Sequence, residues 1–138
     1  MIVAYRIKQG ARFRLIAIGT QENDKIRLPY LEFQEEALSS APSEWPKLVR
    51  ILDYVVEAGP PRDDEKSKLL RDGIFEFRTK GGLRLLWFYD EGSLVICVNG
   101  YIKQGRKTPN QHIEEALSWK KNYLQAKKTG TLKDITPK

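Results

Sequence analysis

One cysteine and one histidine among 138 residues leave little room for two kinds of chemistry. Cys97 alone closes no internal disulfide. One Cys with one His falls short of the ligand set of an ordinary Cys/His zinc site, so neither a metal nor another cofactor is expected. Long apolar runs are missing too. None approaches the ~18 residues that a membrane span requires, and no membrane partner is expected. The opening Met1-Ile2-Val3-Ala4-Tyr5-Arg6 lacks the basic, apolar, small-residue order of a secretion signal. The unpaired thiol and the missing signal make cytoplasm the expected compartment. Repeats and low-complexity stretches are absent as well. The length suits one domain of ~100–200 residues, expected over residues 1–138, with its core at about 13–128 and a flexible tail over 129–138.

Charge is plentiful but unevenly placed. Residues 1–99 hold 15 basic and 15 acidic side chains, whereas residues 100–138 hold 9 basic and 3 acidic ones. The whole net charge of +6 therefore belongs to the last stretch of chain. That asymmetry suits a polyanion or an acidic protein partner, and it equally describes a solvated basic helix.

The apolar pattern divides the chain into helices and strands. Phe13–Ile18 reads as a strand, paired with Ile2–Ile7 across Lys8–Ala11. Pro29 opens a short helix through Leu38, with Tyr30, Phe33, Ala37 and Leu38 on one face. A second helix spans Trp45–Ala58, carrying Leu48, Val49, Leu52, Val55 and Val56 at helical spacing; Gly59-Pro60-Pro61 stops it. A charged loop, Arg62–Lys68, follows. Three strands come next: Ile74–Thr79, Leu83–Tyr89 after the hairpin signal Gly81-Gly82, and Leu94–Ile102, apolar on both faces and hence central. Thr108 reads as the N-cap of a last helix, with Pro109 at its first position and Gln111 completing a capping box. The resulting order, β-α-α-β-β-β-α, predicts an α+β domain: an antiparallel sheet with helices packed on one face.

Three segments in this order resemble the RelE/ParE toxin superfamily, and within it the HigB-like, phage-derived branch. The first is Leu69-Leu70-Arg71-Asp72-Gly73-Ile74-Phe75-Glu76-Phe77-Arg78. The second is the Arg-containing strand Leu83-Arg84-Leu85-Leu86-Trp87, and the third Gly100-Tyr101-Ile102-Lys103-Gln104 with Lys107-Thr108-Pro109, followed by Glu114-Glu115-Ala116 in a helix. Tyr101 replaces the Phe usual in that branch, and Gln104 stands where a second Lys is frequent. The match covers roughly residues 45–125, and Met1–Arg12 has no counterpart. The resemblance implies a RelE-like fold and a toxin of a type II toxin–antitoxin system, a metal-independent endoribonuclease that cleaves mRNA, on the ribosome or free, and inhibits translation. It implies as partners the mRNA and a cognate antitoxin, a small helix-turn-helix protein. Two other readings stay open: a ParE-like inhibitor of DNA gyrase without RNA chemistry, and an inactive phage-derived nucleic-acid-binding module.

Metal-free RNA cleavage needs fixed cations aimed at the phosphate and a group that moves protons. Arg78 and Arg84 match basic sheet positions of the family, and alternation sets both away from Phe75, Phe77, Leu85 and Trp87. They are expected to project from a sheet face free of helices. Lys103 and Lys107, with Arg106 between them, lie where a strand end meets a helix start, a favourable place for a phosphate. His112 is the cheapest proton carrier in the chain, and Tyr101 is the other candidate. Glu76 fits a base or, more commonly, a partner of Arg78 or Arg84. Lys120 and Lys121 extend the nucleic-acid surface along the last helix. Trp87, Phe88, Trp119 and Tyr123 read as core rather than base-stacking platforms.

Overall fold

A computed structural model describes residues 1–136 of the chain. Two segments open it as a hairpin, β1 (Ile2–Gln9) and β2 (Arg14–Glu22), and the short β3 (Lys25–Arg27) folds back on β2. Helices α1 (Pro29–Ser40) and α2 (Trp45–Ala58) follow, then β4 (Ser67–Arg71), β5 (Ile74–Arg78), β6 (Leu83–Asp90) and β7 (Leu94–Ile102). Helix α3 (Asn110–Thr129) and β8 (Lys133–Ile135) complete the order. The strands form one sheet in the order β4-β5-β6-β7-β2-β1-β8. No helix among the described residues is long and apolar enough to cross a membrane.

The α+β class and the RelE-like layout are those expected, with β7 in the middle of the sheet. Several details differ for physical reasons. The sheet is mixed rather than antiparallel, because β7 runs parallel to β2 and β8 parallel to β1. Helices cover both faces instead of one. Leu15, Ala17, Phe77, Leu85, Trp87, Val95 and Cys97 meet α1 and α2, whereas Ile18, Ile74, Leu86, Phe88, Ile96 and Val98 meet α3. A strand buried on both faces needs a cover on each, which the two-sided apolarity of β7 already demanded.

Strand β1 contributes to the core rather than lying outside it: Val3 is fully buried and Ala4 nearly so, while Met1, Arg6, Gln9, Ala11 and Arg12 are exposed. The expected flexible tail is ordered at Lys133–Ile135, which satisfies the backbone edge of β1. Residues 137 and 138 of that tail lie outside the described residues. The charged loop after α2 ends in an unforeseen strand, β4, joined to β5 through Asp72-Gly73. Both residues of that turn are left-handed, with φ of 52° and 76°, the backbone that a two-residue hairpin demands. Leu38, placed on the buried face of α1, is exposed.

A bulge positions the site. Leu85 pairs with Gly100 and Trp87 with Cys97, so β7 carries one extra residue there. Below the bulge Ile96 and Val98 face α3. Beyond it the alternation slips by one, and Tyr101 faces α3 as well. Gly100 is thereby turned to the other face, where a Cβ would lie 2.4 Å from the Phe33 ring. The β5–β6 hairpin is held from the opposite side by Glu44, a buried carboxylate before α2. Its Oε1 accepts the Gly81 N–H at 2.6 Å, and its Oε2 accepts Lys47 Nζ at 2.6 Å. The Lys47 hydrogen bond leads the effects that hold the Glu44 carboxyl below its ordinary pKa.

Candidate active site

Glu76 is the centre of a cluster on the α3 side of the sheet. Alternation from Ile74 places its side chain under the start of α3, where it has no exposure to solvent. An ionised carboxylate so placed must be paired and hydrogen-bonded. Its Oε1 lies 3.3 Å from Arg78 Nε and 3.7 Å from Arg84 Nε. Its Oε2 accepts the Tyr101 hydroxyl at 3.2 Å and the Thr108 hydroxyl at 3.0 Å. Thr108 therefore ties the loop before α3 to the sheet instead of capping the helix. The helix begins at Asn110, and no side chain caps it.

The two arginines are placed differently. Arg84 is buried; its Nη1 donates to the carbonyls of Thr79 at 2.8 Å and Leu83 at 2.9 Å. Burial, and then repulsion from Arg78, pull its pKa down, with Glu76 opposing. Arg78 keeps one-fifth of its side chain exposed, and its Nη1 donates to the carbonyl of Asp64 at 3.1 Å. The expectation that both project from a helix-free face is thus corrected: α3 covers that face, and a carboxylate between the strands draws both guanidinium groups inward. Of the two, Arg78 is the more exposed, and Arg84 is enclosed beside Glu76.

Tyr101 and His112 lie face to face, with ring centroids 4.1 Å apart and planes 4° from parallel. Burial, the largest effect, and the neighbouring Glu76 charge push the Tyr101 pKa up to about 12. The phenol keeps its proton at neutral pH and serves as a fixed hydrogen-bond donor and stacking floor. His112 is half-buried, and its backbone carbonyl accepts Asn99 Nδ2 at 3.1 Å, which pins the first turn of α3 to β7.

Four of the six residues expected to be catalytic, Arg78, Arg84, Tyr101 and His112, thus meet around Glu76. Lys103 is half-buried, with its backbone N–H on the Gly82 carbonyl at 2.7 Å. Arg106 and Lys107 are exposed on the loop before α3. Lys120 lies further along the helix, its Nζ on the Asp72 carbonyl at 3.3 Å and 5.6 Å from the Phe88 ring centroid. Lys121 is exposed. Sequence reasoning missed Thr108 as a ligand of Glu76 because its capping-box spacing already had an explanation.

Residues 37–121 match the family described as phage-derived protein Gp49-like. That span takes in α2, the Glu76 strand, both arginines and the Tyr101–His112 stack. The chain belongs to the phage-derived Gp49-like family. This is a RelE- and toxin-like family, compatible with a toxin of a toxin–antitoxin system. A search of curated proteins gives no match to the chain. The matched region of this Gp49-like protein stops before the end of α3 and leaves out β1, β2 and β8, the half of the sheet remote from the cluster.

Proposed function

We propose that this Gp49-like protein is a HigB-like toxin that cleaves mRNA without a metal and is neutralised by an antitoxin. The observation that supports it best is the stack of His112 on Tyr101 beside two arginines that share one carboxylate. The cluster thereby combines a proton carrier, a fixed phenol and a cationic surplus. A structural ion pair needs neither the surplus nor the imidazole.

In this reading the ribose 2′-hydroxyl attacks the adjacent phosphorus as the bond to the 5′-oxygen breaks, leaving a cyclic phosphate and a free 5′-hydroxyl. His112 takes the proton of the attacking hydroxyl or returns one to the leaving oxygen. Tyr101 holds the imidazole plane. Arg78 and Lys103 meet the charge that builds on the phosphate, Lys107 and Arg106 steer the strand, and Arg84 keeps Glu76 in place. An acidic antitoxin segment would quench the same cations. The direct test incubates the purified protein with mRNA, with and without ribosomes, and maps new 5′ ends by primer extension. Discrete cleavage sites in either arm support ribonuclease action; intact RNA in both, with DNA gyrase inhibited, favours the ParE-like reading.

A further inference from the structure

A second cationic surface lies on the other side of the β5–β6 hairpin, away from the Tyr101–His112 stack. An open groove of about 690 Å³ runs between the outer face of α2, the loop after it and the end of β5. Arg50, Arg62, Lys66 and Lys80 line it, and none of their side chains makes an ion pair or hydrogen bond among the described residues. Asp63 and Glu65 are its acids, so the cations outnumber them. Tyr54, 54% exposed, stands in its wall. A second groove of about 510 Å³ shares Pro61 and Arg62 with the first and continues to Tyr89, 48% exposed. Trp87 walls this second groove and carries a buried indole N–H with no acceptor among the described residues. Arg78 lines the first groove while its Nε reaches Glu76, so the surface ends at the cluster already described.

Unpaired cations spaced along a groove with exposed aromatic rings are the elements that hold single-stranded nucleic acid: phosphates on the cations, bases on the rings. A hydrophobic helix or peptide would leave four cations unmet, and a duplex, whose bases are already paired and stacked on one another, would leave the exposed rings without a base. We propose that this double groove binds the single-stranded RNA flanking the cleavage point, with Tyr54 and Tyr89 as base platforms and Arg50, Arg62, Lys66 and Lys80 on successive phosphates. This rests on the ribonuclease reading for its substrate but concerns residues that, Arg78 apart, the chemistry does not use. Arg78 is the point at which the strand passes from the groove to the cluster.

The test uses the full chain and a fluorescent single-stranded 2′-O-methyl RNA of mixed sequence, which lacks the attacking hydroxyl and cannot be cleaved, read by anisotropy over a salt series. Tyr54→Ala and Tyr89→Ala are each expected to weaken binding ~5- to ~150-fold. The pair Arg50→Ala and Lys80→Ala should flatten the plot of log affinity against log salt by ~0.7 for each phosphate no longer neutralised. Melting curves confirm that each variant is folded. Lys25→Ala, exposed on β3 and outside both grooves, is expected to bind as wild type does. Unchanged binding by the folded groove variants overturns the proposal, as does an equal loss in Lys25→Ala. It is also overturned if the groove variants lose only a poly-glutamate peptide and keep the RNA, which would make the surface a protein-docking site. Binding that depends on the groove, together with unmodified RNA left intact both with and without ribosomes, would sink the ribonuclease reading and leave this one standing. Cleavage with groove-independent binding does the reverse.

Discussion

Helix α3 is tied to the sheet by a buried carboxylate near each end, and the two ties differ in a telling way. Toward its C-terminal end, Asp90 on β6 accepts the Tyr123 hydroxyl and Lys127 Nζ, the latter at 2.7 Å. One acid meets one cation and one phenol, and the charges cancel. At the N-terminal end, Glu76 on β5 likewise accepts a tyrosine hydroxyl, but two arginines crowd it and a histidine is stacked on the phenol. Both ties fasten the same helix to the same sheet face. The Asp90 tie shows what fastening requires. What Glu76 has in addition, a second guanidinium and an imidazole, is what fastening leaves unexplained and what phosphate chemistry would use.

The largest effect should come from breaking the richer tie. Glu76→Ala leaves Arg78 and Arg84 facing each other with no anion in a buried site, and stranded buried charges cost ~3–5 kcal/mol. Urea unfolding should register that loss; a shift under ~1 kcal/mol would mean the carboxylate holds nothing together. Arg78→Ala addresses function instead. The protein should stay folded, because Arg84 still pairs Glu76, while RNA cleavage falls ~10²–10³-fold, as for other fixed donors aimed at a transition state. Cleavage at the wild-type rate would remove Arg78 from the phosphate.

The plainer tie gives the control. Asp90→Asn keeps an acceptor for Tyr123 but loses the charge that holds Lys127, and it should lower stability by ~1–2 kcal/mol without touching cleavage. A fall in cleavage as large as that of Arg78→Ala would erase the distinction between the two ends.

The smallest effect is a matter of pH. Burial raises the Asp90 pKa, but the hydrogen bonds from Lys127 and Tyr123 outweigh it and hold the carboxyl below its ordinary 3.8; Glu44, hydrogen-bonded to Lys47, lies below its ordinary 4.5. Depressed carboxylate pKa values stabilise the fold fully above those ordinary values, and the contribution is lost as pH falls through the folded-state ones. Melting temperature should thus be flat from neutrality to about pH 5 and then drop, and Asp90→Asn should shallow the drop.

Much of this arrangement is legible in the residues. The periodicity of α2 and the continuous apolarity of β7 specify both elements to the residue, and the Gly81-Gly82 hairpin brings Arg78 opposite Arg84, as the pairing register shows. Other features depend on tertiary context. The bulge that turns Tyr101 toward Glu76 is invisible to simple alternation, which would send the ring to the α1 face. A capping-box spacing explains Thr108 equally well, and only the folded chain shows its hydroxyl committed to Glu76. Charge counting fails for a related reason. Residues 1–99 are neutral as a set, yet the fold gathers Arg50, Arg62, Lys66 and Lys80 along one groove. Strand β4 escapes notice because its charged, exposed face carries little alternation, although the Asp72-Gly73 turn marks its end.

The claim that the Glu76 end of α3 does chemistry turns on the imidazole. The most direct measurement is the rate of RNA cleavage against pH for the wild type, His112→Gln and Tyr101→Phe. Tyr101 titrates only near about 12, so no limb of the profile between pH 5 and 9 belongs to its phenol. The account predicts that His112→Gln cleaves more slowly and with a pH profile of different shape, and that Tyr101→Phe keeps the wild-type shape at a reduced rate. A His112→Gln protein that cleaves as fast as wild type with the same pH profile would contradict it.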